Sequence, residues 1–520
     1  MPEDQRWHAL GSSADFVNLE GIEFREYQFN IIKSLLNGEN TLVILPTGLG
    51  KTLIAIFTIA NIISKGKKAV ILAPTKPLSE QHYSTLRRFL RLDEDSIVLL
   101  TGSTSSEKRK IIENSSKVIV ATPQTIMNDL KKNFLSLNNF GVAIFDECHH
   151  AVGKYAYTYI ANESVLNDVQ IVGLTASPGS RKDKIKELLN TLNINNIEIR
   201  THNDADVAKY VMHKTFQVVG VKKNEEVERI CAYLRPEIES NMGKLRGLGL
   251  MPFKRFESMP KGMLIKIGDD IKKLYAKNYR FAAITSYVKL LNLIHAYDLV
   301  ETEGFYPFLQ YTKSLEERET KSKALSSLLA SDAVMSAKHA AEDYIKIGKE
   351  HPKVYSLVDV LASRMHKKAI VFAQYRSTIK MLVDRLNDRG FNARAFVGKK
   401  EGITQIQQKQ VIEDFRNNAF NVLVASSIGE EGLDIPTVDV VVFYEPIASE
   451  IRNIQRKGRT GRLYDGEVVI LVTENSKDEI YFRVSQKREG KMLDIVVKLK
   501  KELKAEKKIE KEIFRGQKLL

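Results

Sequence analysis

The chain has 520 residues and carries 79 Lys and Arg against 64 Asp and Glu, which gives a formal net charge of +15. At about 150 residues per domain, this length predicts about three domains. A hydrophobic content of 43% is enough for several buried cores and excludes a largely disordered chain. The two cysteines, Cys148 and Cys231, can form neither a disulfide framework nor a four-cysteine zinc site. The basic balance suits a polyanionic partner but does not identify one.

The sequence predicts neither export nor a membrane partner. Residues 1–15 mix charged and polar side chains without an apolar run, so they do not resemble a secretory signal. The most apolar run, residues 53–63, is too short to cross about 30 Å of hydrocarbon. We therefore expect a cytoplasmic protein.

Short β-rich runs alternate with helix-length segments over residues 40–192. The runs are TLVILP, AVILAP, IVLLT, VIVAT, VAIFDE and IVGLTA, beginning at residues 41, 69, 97, 118, 142 and 171. Because these runs are apolar on both faces, they are typical of a parallel sheet covered by helices on its two sides.

The first of these runs leads into a phosphate-binding loop motif. The motif consists of Pro46, Thr47, Gly48, Leu49, Gly50, Lys51 and Thr52. Glycines let backbone N–H groups wrap phosphate oxygens, Lys51 can reach the β- and γ-phosphates, and the Thr52 hydroxyl can ligate Mg²⁺. Leu45 stands where the strict motif has glycine, so the motif alone favours ATP binding without establishing it.

Two adjacent carboxylates, Asp146 and Glu147, follow the run VAIF. Beside a phosphate loop in the same sheet, Asp146 can hold Mg²⁺ while Glu147 orients or deprotonates the water that attacks the γ-phosphate. Cys148, His149 and His150 come next, but three consecutive side chains cannot converge on one metal ion. His149 is better interpreted as a hydrogen-bonding relay.

From about residue 222 to residue 350 the strand signal gives way to charged helical sequence, which predicts a helical insertion. Residues 243–262 contain four Gly and two Pro and predict a loop. Within that loop, Lys254 and Arg255 could contact a phosphate backbone while Phe253 and Phe256 contact bases or sugars. An equally good interpretation has both Phe packed on the helices and the basic side chains in solvent.

A second α/β region follows the insertion. The runs KAIVFA, NVLVAS, VVVFYE and EVVILVT begin at residues 368, 421, 440 and 467, and helical segments separate them. The tail over residues 498–520 mixes Lys and Glu at near-helical spacing, which is typical of a solvated helix.

Taken together, PTGLGKT, DECH, TAS at residues 175–177 and QRKGRTGR at residues 455–462 resemble the motifs of superfamily 2 helicases. The resemblance covers about residues 24–488 and implies two RecA-like α/β domains with an inserted all-helical domain. The implied boundaries are residues 1–221 for the first domain, 222–350 for the insertion, 351–492 for the second domain and 493–520 for a charged helix.

The resemblance also implies roles for further residues. Arg25 and Gln28 would read the adenine, and Asp434 would lie near the ribose. His149, Thr175, Ser177 and Gln455 would couple the sites. The backbone of a nucleic acid would be held by Pro74, Thr75, Lys76, Thr101, Gly102, Thr122 and Pro123. Arg459 and Arg462 would act as arginine fingers that stabilise charge on the γ-phosphoryl group from across the domain cleft.

The insertion, the sequence SIGEEGLDIP and the RKGRTGR segment resemble the family of archaeal Hef helicases and the Fanconi anaemia group M translocase, with RIG-I-like and Dicer helicases more distant. The resemblance implies ATP- and Mg²⁺-dependent remodelling of forked or branched DNA in replication-fork repair and recombination, with separate nuclease or replication-fork proteins as possible partners. Since no ERKxxxD string is present, we expect no nuclease activity. Two alternatives stay open: a helicase driven by double-stranded RNA, and an ATP-gated scaffold without catalysis.

Overall fold

A computed structural model describes residues 7–46, 48–102, 109, 115–153, 155–201, 204–210, 214–274, 277–365, 367–398, 405–426, 438–446 and 466–517. Five predicted site residues lie outside these ranges: Thr47, Asp434, Gln455, Arg459 and Arg462. None of the helices within the described ranges is long and apolar enough to cross a membrane.

The strands of the described residues are β1 (Thr41–Ile44), β2 (Lys68–Leu72), β3 (Ile97–Leu100), β4 (Val118–Ala121), β5 (Phe140–Phe145), β6 (Gln170–Thr175), β7 (Asn196–Ile199), β8 (Lys214–Val221), β9 (Ala369–Phe372), β10 (Ala393–Phe396), β11 (Val422–Ala425), β12 (Val440–Phe443) and β13 (Gly466–Thr473). Short 3₁₀ helices span His8–Phe16, Glu94–Ser96, Cys148–His150 and Phe256–Ser258.

The α-helices are α1 (Glu26–Leu35), α2 (Lys51–Ser64), α3 (Lys76–Phe89), α4 (Pro123–Lys131), α5 (Ala156–Leu166), α6 (Lys182–Thr191), α7 (Ala205–Ala208), α8 (Glu225–Gly247), α9 (Lys261–Lys272), α10 (Lys277–Thr302), α11 (Phe305–Glu316), α12 (Lys323–Leu329), α13 (Asp332–Lys346), α14 (Pro352–Ala362), α15 (Arg376–Asn387), α16 (Gln405–Arg416) and α17 (Lys477–Gln517).

The first sheet has seven strands in the order β3-β4-β2-β5-β6-β1-β7, and its neighbouring strands run parallel. One buried apolar cluster covers each face of the sheet, as parallel strands that are apolar on both faces require. The sequence analysis identified six of these strands. It missed β7 because that edge strand, NIEI, alternates polar and apolar side chains and is only half-buried.

The second sheet has six strands in the order β10-β11-β9-β12-β13-β8, again parallel. The predicted fold class, two parallel-sheet domains with a helical insertion, is confirmed. The predicted domain boundary at residue 221 differs from the structure, because β8 pairs along its whole length with β13 and so belongs to the second sheet. The crossing between the domains therefore precedes residue 214.

The insertion comprises helices α8 to α13 around an apolar cluster of its own. Helix α8 continues through Gly243 to Gly247, so the irregular segment is shorter than the predicted loop at residues 243–262. Leu245 and Met242 are buried on this last part of the helix, and their packing outweighs the low helix propensity of glycine.

The C-terminal helix α17 begins at Lys477, well before the predicted start at residue 493, and connects the two α/β domains. Met492, Ile495, Val496 and Leu499 follow the i, i+3, i+4, i+7 spacing of one helix face and are buried in the core cluster of the first domain. The interpretation of residues 498–520 as a solvated helix was therefore wrong at Leu499, which is buried in that cluster. Lys500 extends the contact with an ion pair to Glu198 at 3.3 Å.

Candidate nucleotide and nucleic-acid site

Strand order brings the predicted nucleotide motifs to one edge of the first sheet. The phosphate loop follows β1, the two carboxylates follow β5, and Thr175 ends β6, which lies between those strands. In a parallel sheet, the carboxyl ends of neighbouring strands form the crevice where ligands bind.

The phosphate loop has a left-handed backbone at both of its glycines, with φ of 87° at Gly48 and 81° at Gly50. A Cβ atom at Gly50 would lie 2.2 Å from Nε2 of Gln28, so the close approach as well as the φ angle requires glycine. Lys51 begins α2, and its Nζ donates to the Leu45 carbonyl at 3.0 Å. The loop thus aims a lysine and a helix N-terminus at one place, an arrangement suited to phosphate.

Two side chains of helix α1 hold the phosphate loop by hydrogen bonds to its backbone. The Tyr27 hydroxyl and Gln28 Nε2 both donate to the Leu49 carbonyl, at 2.8 Å and 3.0 Å. Gln28 Oε1 is buried and has no hydrogen-bond partner among the described residues. Arg25 forms an ion pair with Glu23 at 3.0 Å. Gln28 therefore contacts the loop, and adenine recognition by Arg25 and Gln28 stays a prediction.

Asp146 is buried, Glu147 is partly buried, and the turn that follows β5 is strained at Glu147. Glu147 has φ of 47°, in the left-handed region, and its N–H donates to Asp146 Oδ1 at 3.0 Å. Burial opposes ionisation of Glu147, but the hydrogen bond from His149 and the charge of Lys51 outweigh it and lower the pKa of Glu147 from 4.5 to about 2. Glu147 is therefore an anion at neutral pH although most of its side chain is covered by protein.

The three described coupling residues form one chain of contacts. His149 Nδ1 lies 3.3 Å from Glu147 Oε2 and 3.2 Å from Thr175 Oγ1. Thr175 Oγ1 accepts from the Ser177 N–H at 3.1 Å. Ser177 Oγ lies 2.9 Å from Sδ of Met492, on the docked face of α17. The contacts run from Glu147 to Met492 of α17.

The donor set at this edge suits Mg²⁺. Asp146 is 6% exposed, Glu147 Oε2 is a buried oxygen that faces His149 Nδ1 at 3.3 Å, and Thr52 lies in the first turn of α2. Hard oxygen donors of this kind are the ligands that Mg²⁺ prefers. Thr52 and Asp146 would hold the ion, which would supply charge neutralisation at the phosphates.

The predicted nucleic-acid residues of the first domain share a second part of the same edge. Pro74, Thr75 and Lys76 follow β2, Thr101 and Gly102 follow β3, and Thr122 and Pro123 follow β4, which are neighbouring strands. Thr75 Oγ1 accepts from the Leu78 N–H at 3.4 Å and caps α3. Pro123 opens α4. Two helix N-termini therefore face this edge, where their dipoles would favour phosphate.

The structure separates the two interpretations of the basic loop in the insertion. Phe256 is 1% exposed and stacks edge-on against Tyr297 at 4.9 Å, so it packs the loop and is not available to a base. Lys254 and Arg255 are exposed. A phosphate contact by these two residues stays a prediction.

Two residues that contact Asp146 were not predicted from the sequence, because they lie outside the DECH motif. His82 Nε2 lies 2.7 Å from Asp146 Oδ2. The Tyr157 hydroxyl lies 2.7 Å from the Asp146 carbonyl. A signal for His82 was present, since a polar residue on the buried face of a helix needs a partner.

Comparison with known proteins gives concordant matches. Residues 25–185 match the DEAD/DEAH box helicase family, and residues 352–464 match the helicase conserved C-terminal domain. The crystal structure of the Pyrococcus furiosus Hef helicase domain is 39% identical with a TM-score of 0.71, and the match covers 90% of this chain and 100% of that one.

Curated relatives include proteins named for DNA and for RNA. A putative ATP-dependent RNA helicase of Methanocaldococcus jannaschii is 35% identical over 91% of this chain and 60% of that protein. The ATP-dependent DNA helicase mph1 of Neurospora crassa is 33% identical over 88% of this chain and 41% of that protein. This chain thus spans about half the length of the curated relatives it matches. On these matches and on its two-sheet fold, the chain belongs to the family of superfamily 2 helicases that includes Hef, Mph1 and FANCM.

Proposed function

We propose that this chain is an ATP-dependent DNA helicase or translocase that acts on forked or branched DNA in replication-fork repair and recombination. The observation that carries the proposal is the position of Glu147 directly after β5, on the sheet edge that also holds Lys51 of the phosphate loop, with His149 Nδ1 3.3 Å from its Oε2. A carboxylate kept ionised in that position suits the orientation or deprotonation of an attacking water.

The proposed division of labour follows from where each residue lies. Lys51 binds the phosphates, Asp146 and Thr52 hold Mg²⁺, and Glu147 receives or orients the proton of the attacking water. Arg459 and Arg462, which lie outside the described residues, would complete the site from the second domain. Hydrolysis would then require the domains to close, and a strand bound across both domains would favour closure.

The relatives support DNA as the nucleic acid on which the chain acts, and the net positive charge of the chain suits it. The Hef helicase domain aligns over 90% of this chain, and the Neurospora crassa relative is named a DNA helicase. The net charge of +15 and the helix N-termini beside Thr75 and Pro123 suit a polyphosphate backbone, which positions a protein without reading sequence.

Double-stranded RNA is a second candidate track, because two relatives carry RNA helicase in their names. Phosphate contacts do not distinguish the two polymers, whereas contacts to the 2′-hydroxyl would. A scaffold that binds ATP without hydrolysing it is less well supported, since such a protein has no need for an ionised carboxylate beside the phosphate loop.

A cytoplasmic location and separate nuclease or replication-fork proteins as partners belong to the same proposal. Cys148 and Cys231 are both buried free thiols, as suits a reducing compartment.

The proposal is tested by displacement of a labelled strand from a forked DNA duplex in the presence of Mg²⁺ and ATP, with a matched fork of RNA in parallel. Displacement of the DNA strand with ATP, and none with a non-hydrolysable analogue, is expected. Glu147→Gln is the matched control, because the amide keeps the size of the side chain; it should bind ATP and DNA but displace nothing. Displacement of RNA alone would favour the second candidate, and equal displacement by Glu147→Gln would contradict the assignment of Glu147.

A further inference from the structure

His82 of helix α3 lies within hydrogen-bond distance of Asp146, the proposed magnesium ligand. His82 Nε2 lies 2.7 Å from Asp146 Oδ2, and both side chains are less than one-tenth exposed. His82 Nδ1 is buried and has no hydrogen-bond partner among the described residues. Donation from Nε2 to a carboxylate leaves Nδ1 without a proton, which is the tautomer that a partnerless nitrogen tolerates best.

Two described contacts hold the carboxylate of Asp146, one at each oxygen. The Glu147 N–H holds Oδ1 at 3.0 Å, and the backbone of Asp146 is fixed through its own N–H to the Leu72 carbonyl at 2.9 Å and through Tyr157 at its carbonyl. His82 is the side chain that holds Oδ2, so together with the Glu147 N–H it sets the rotation of the carboxylate plane. Partners of metal ligands commonly act in this way.

The same helix also connects two other places. Thr75, in the predicted nucleic-acid loop, caps its N-terminus, and Glu80 forms an ion pair at 2.9 Å with Lys409 of α16 in the second domain. From Thr75 to His82 is about 10 Å along the helix axis. Because a helix of this length is stiff, a shift at its first turn carries His82 with it.

We propose that His82 is a positioning residue that links the nucleic-acid end of α3 to Asp146, so that a bound strand and the approach of the second domain act on the magnesium carboxylate through this hydrogen bond. The inference rests on the proposed function, because it assumes strand-stimulated ATP turnover.

The test compares three substitutions in the full chain. His82→Leu removes the donor, His82→Asn keeps an amide that stops short of Asp146, and His82→Gln carries an amide that can reach it. Ser84→Ala, at an exposed position on the same helix, is the matched control. The first readout is equilibrium binding of a fluorescent non-hydrolysable ATP analogue over a Mg²⁺ series, which does not depend on turnover.

For His82→Leu and His82→Asn, the Mg²⁺ concentration at half-maximal binding should rise by about 10- to 100-fold, the usual effect of losing a partner of a metal ligand. His82→Gln should restore most of the wild-type value, and Ser84→Ala should equal it. If His82→Leu fails to fold, the Asn and Gln pair still decides the outcome. An unchanged Mg²⁺ dependence in His82→Asn would overturn the inference.

The second readout is the ratio of ATP turnover with and without forked DNA. Loss of that ratio in His82→Asn and its recovery in His82→Gln are expected, while a merely structural role would lower turnover equally in both conditions. If the wild-type chain shows no stimulation by any strand, the proposed function fails. If it is stimulated and His82→Asn keeps the full ratio, the inference about His82 fails alone.

Discussion

Glu303 is a buried carboxyl that should make the free energy of unfolding depend on pH. It lies where the insertion meets the second domain and is 2% exposed. Its Oε2 accepts from the Thr378 hydroxyl of α15 at 3.0 Å, and its Oε1 accepts from the Thr302 hydroxyl at 3.4 Å. The charges of Lys353 and Asp478 act on it in opposite directions, Lys353 lowering its pKa and Asp478 raising it.

Burial raises the pKa of Glu303 from 4.5 to about 7, although the positive charge of Lys353 opposes the rise. A carboxyl whose pKa is higher in the folded state favours folding when it is protonated. Its contribution is therefore most favourable below pH 4.5 and is lost as the pH rises through 7.

The size of the effect follows from the shift. The rise from 4.5 to about 7 makes the ionised side chain about 3 kcal/mol unfavourable to folding above pH 8, at about 1.4 kcal/mol per pKa unit. At pH 5 the same calculation gives a destabilisation by Glu303 of only about 1 kcal/mol. Glu303→Gln removes the charge, keeps the size and can keep both hydroxyl contacts, so it should stabilise the chain more at high pH than at low pH.

The assay is urea unfolding of the full chain at pH 5 and pH 8.5, following the transition that includes the second domain. We expect the free energy of unfolding of Glu303→Gln to exceed that of the wild type by about 3 kcal/mol at pH 8.5 and by about 1 kcal/mol at pH 5. Glu317→Gln, whose side chain is 65% exposed, is the control and should change little at either pH. An equal gain at both pH values, or a greater loss of stability at pH 8.5, would refute the reasoning.

Three further predictions concern ATP turnover and the packing of α17. Lys51→Ala should abolish steady-state ATP turnover because the phosphates lose their cation, and wild-type turnover would contradict the phosphate-loop assignment. Lys353→Met should lower the free energy of unfolding, measured in urea, by about 3–5 kcal/mol. The reason is that the Asp478 carboxylate, 2.6 Å from Lys353 Nζ, stays buried without the countercharge of that lysine. A decrease below about 1 kcal/mol, the range of an exposed ion pair, would contradict this. Leu499→Ala should loosen α17 from the first domain at a cost of about 2–5 kcal/mol, the usual range for a buried leucine. Limited proteolysis should then cut α17 faster than in wild type, and an unchanged cleavage rate would contradict the docked position.

Much of the fold could be predicted because parallel strands buried on both faces appear as unbroken apolar runs. TLVILP and VAIF are of this kind, and each becomes a strand within a residue or two of its predicted bounds. The edge strands β7 and β10 lack that signal, unlike the edge strand β3. ARAF forms β10 with both of its middle side chains exposed, and the pattern of a half-buried strand of four residues is too short to recognise.

The candidate site divides in the same way. Residues within a local motif, such as Lys51 and Glu147, could be identified because their chemistry depends on neighbours in sequence. His82 and Asp146 are 64 positions apart, and only the pairing of β2 with β5 brings them together. The contact of Met492 with Ser177 likewise joins residues far apart in sequence, and the helical spacing of Met492, Ile495, Val496 and Leu499 was a signal for a buried face that the sequence prediction did not use.

The proposed function requires ATP hydrolysis to be coupled to the binding of branched DNA. It is tested most directly by steady-state ATP turnover of the chain with Mg²⁺, compared without nucleic acid and with single-stranded DNA, forked DNA, a four-way junction and double-stranded RNA. All five conditions share one salt concentration, because contacts to phosphates weaken steeply as salt rises. We expect the fork or the junction to stimulate turnover most. Stimulation by RNA alone, or none by any strand, would contradict it.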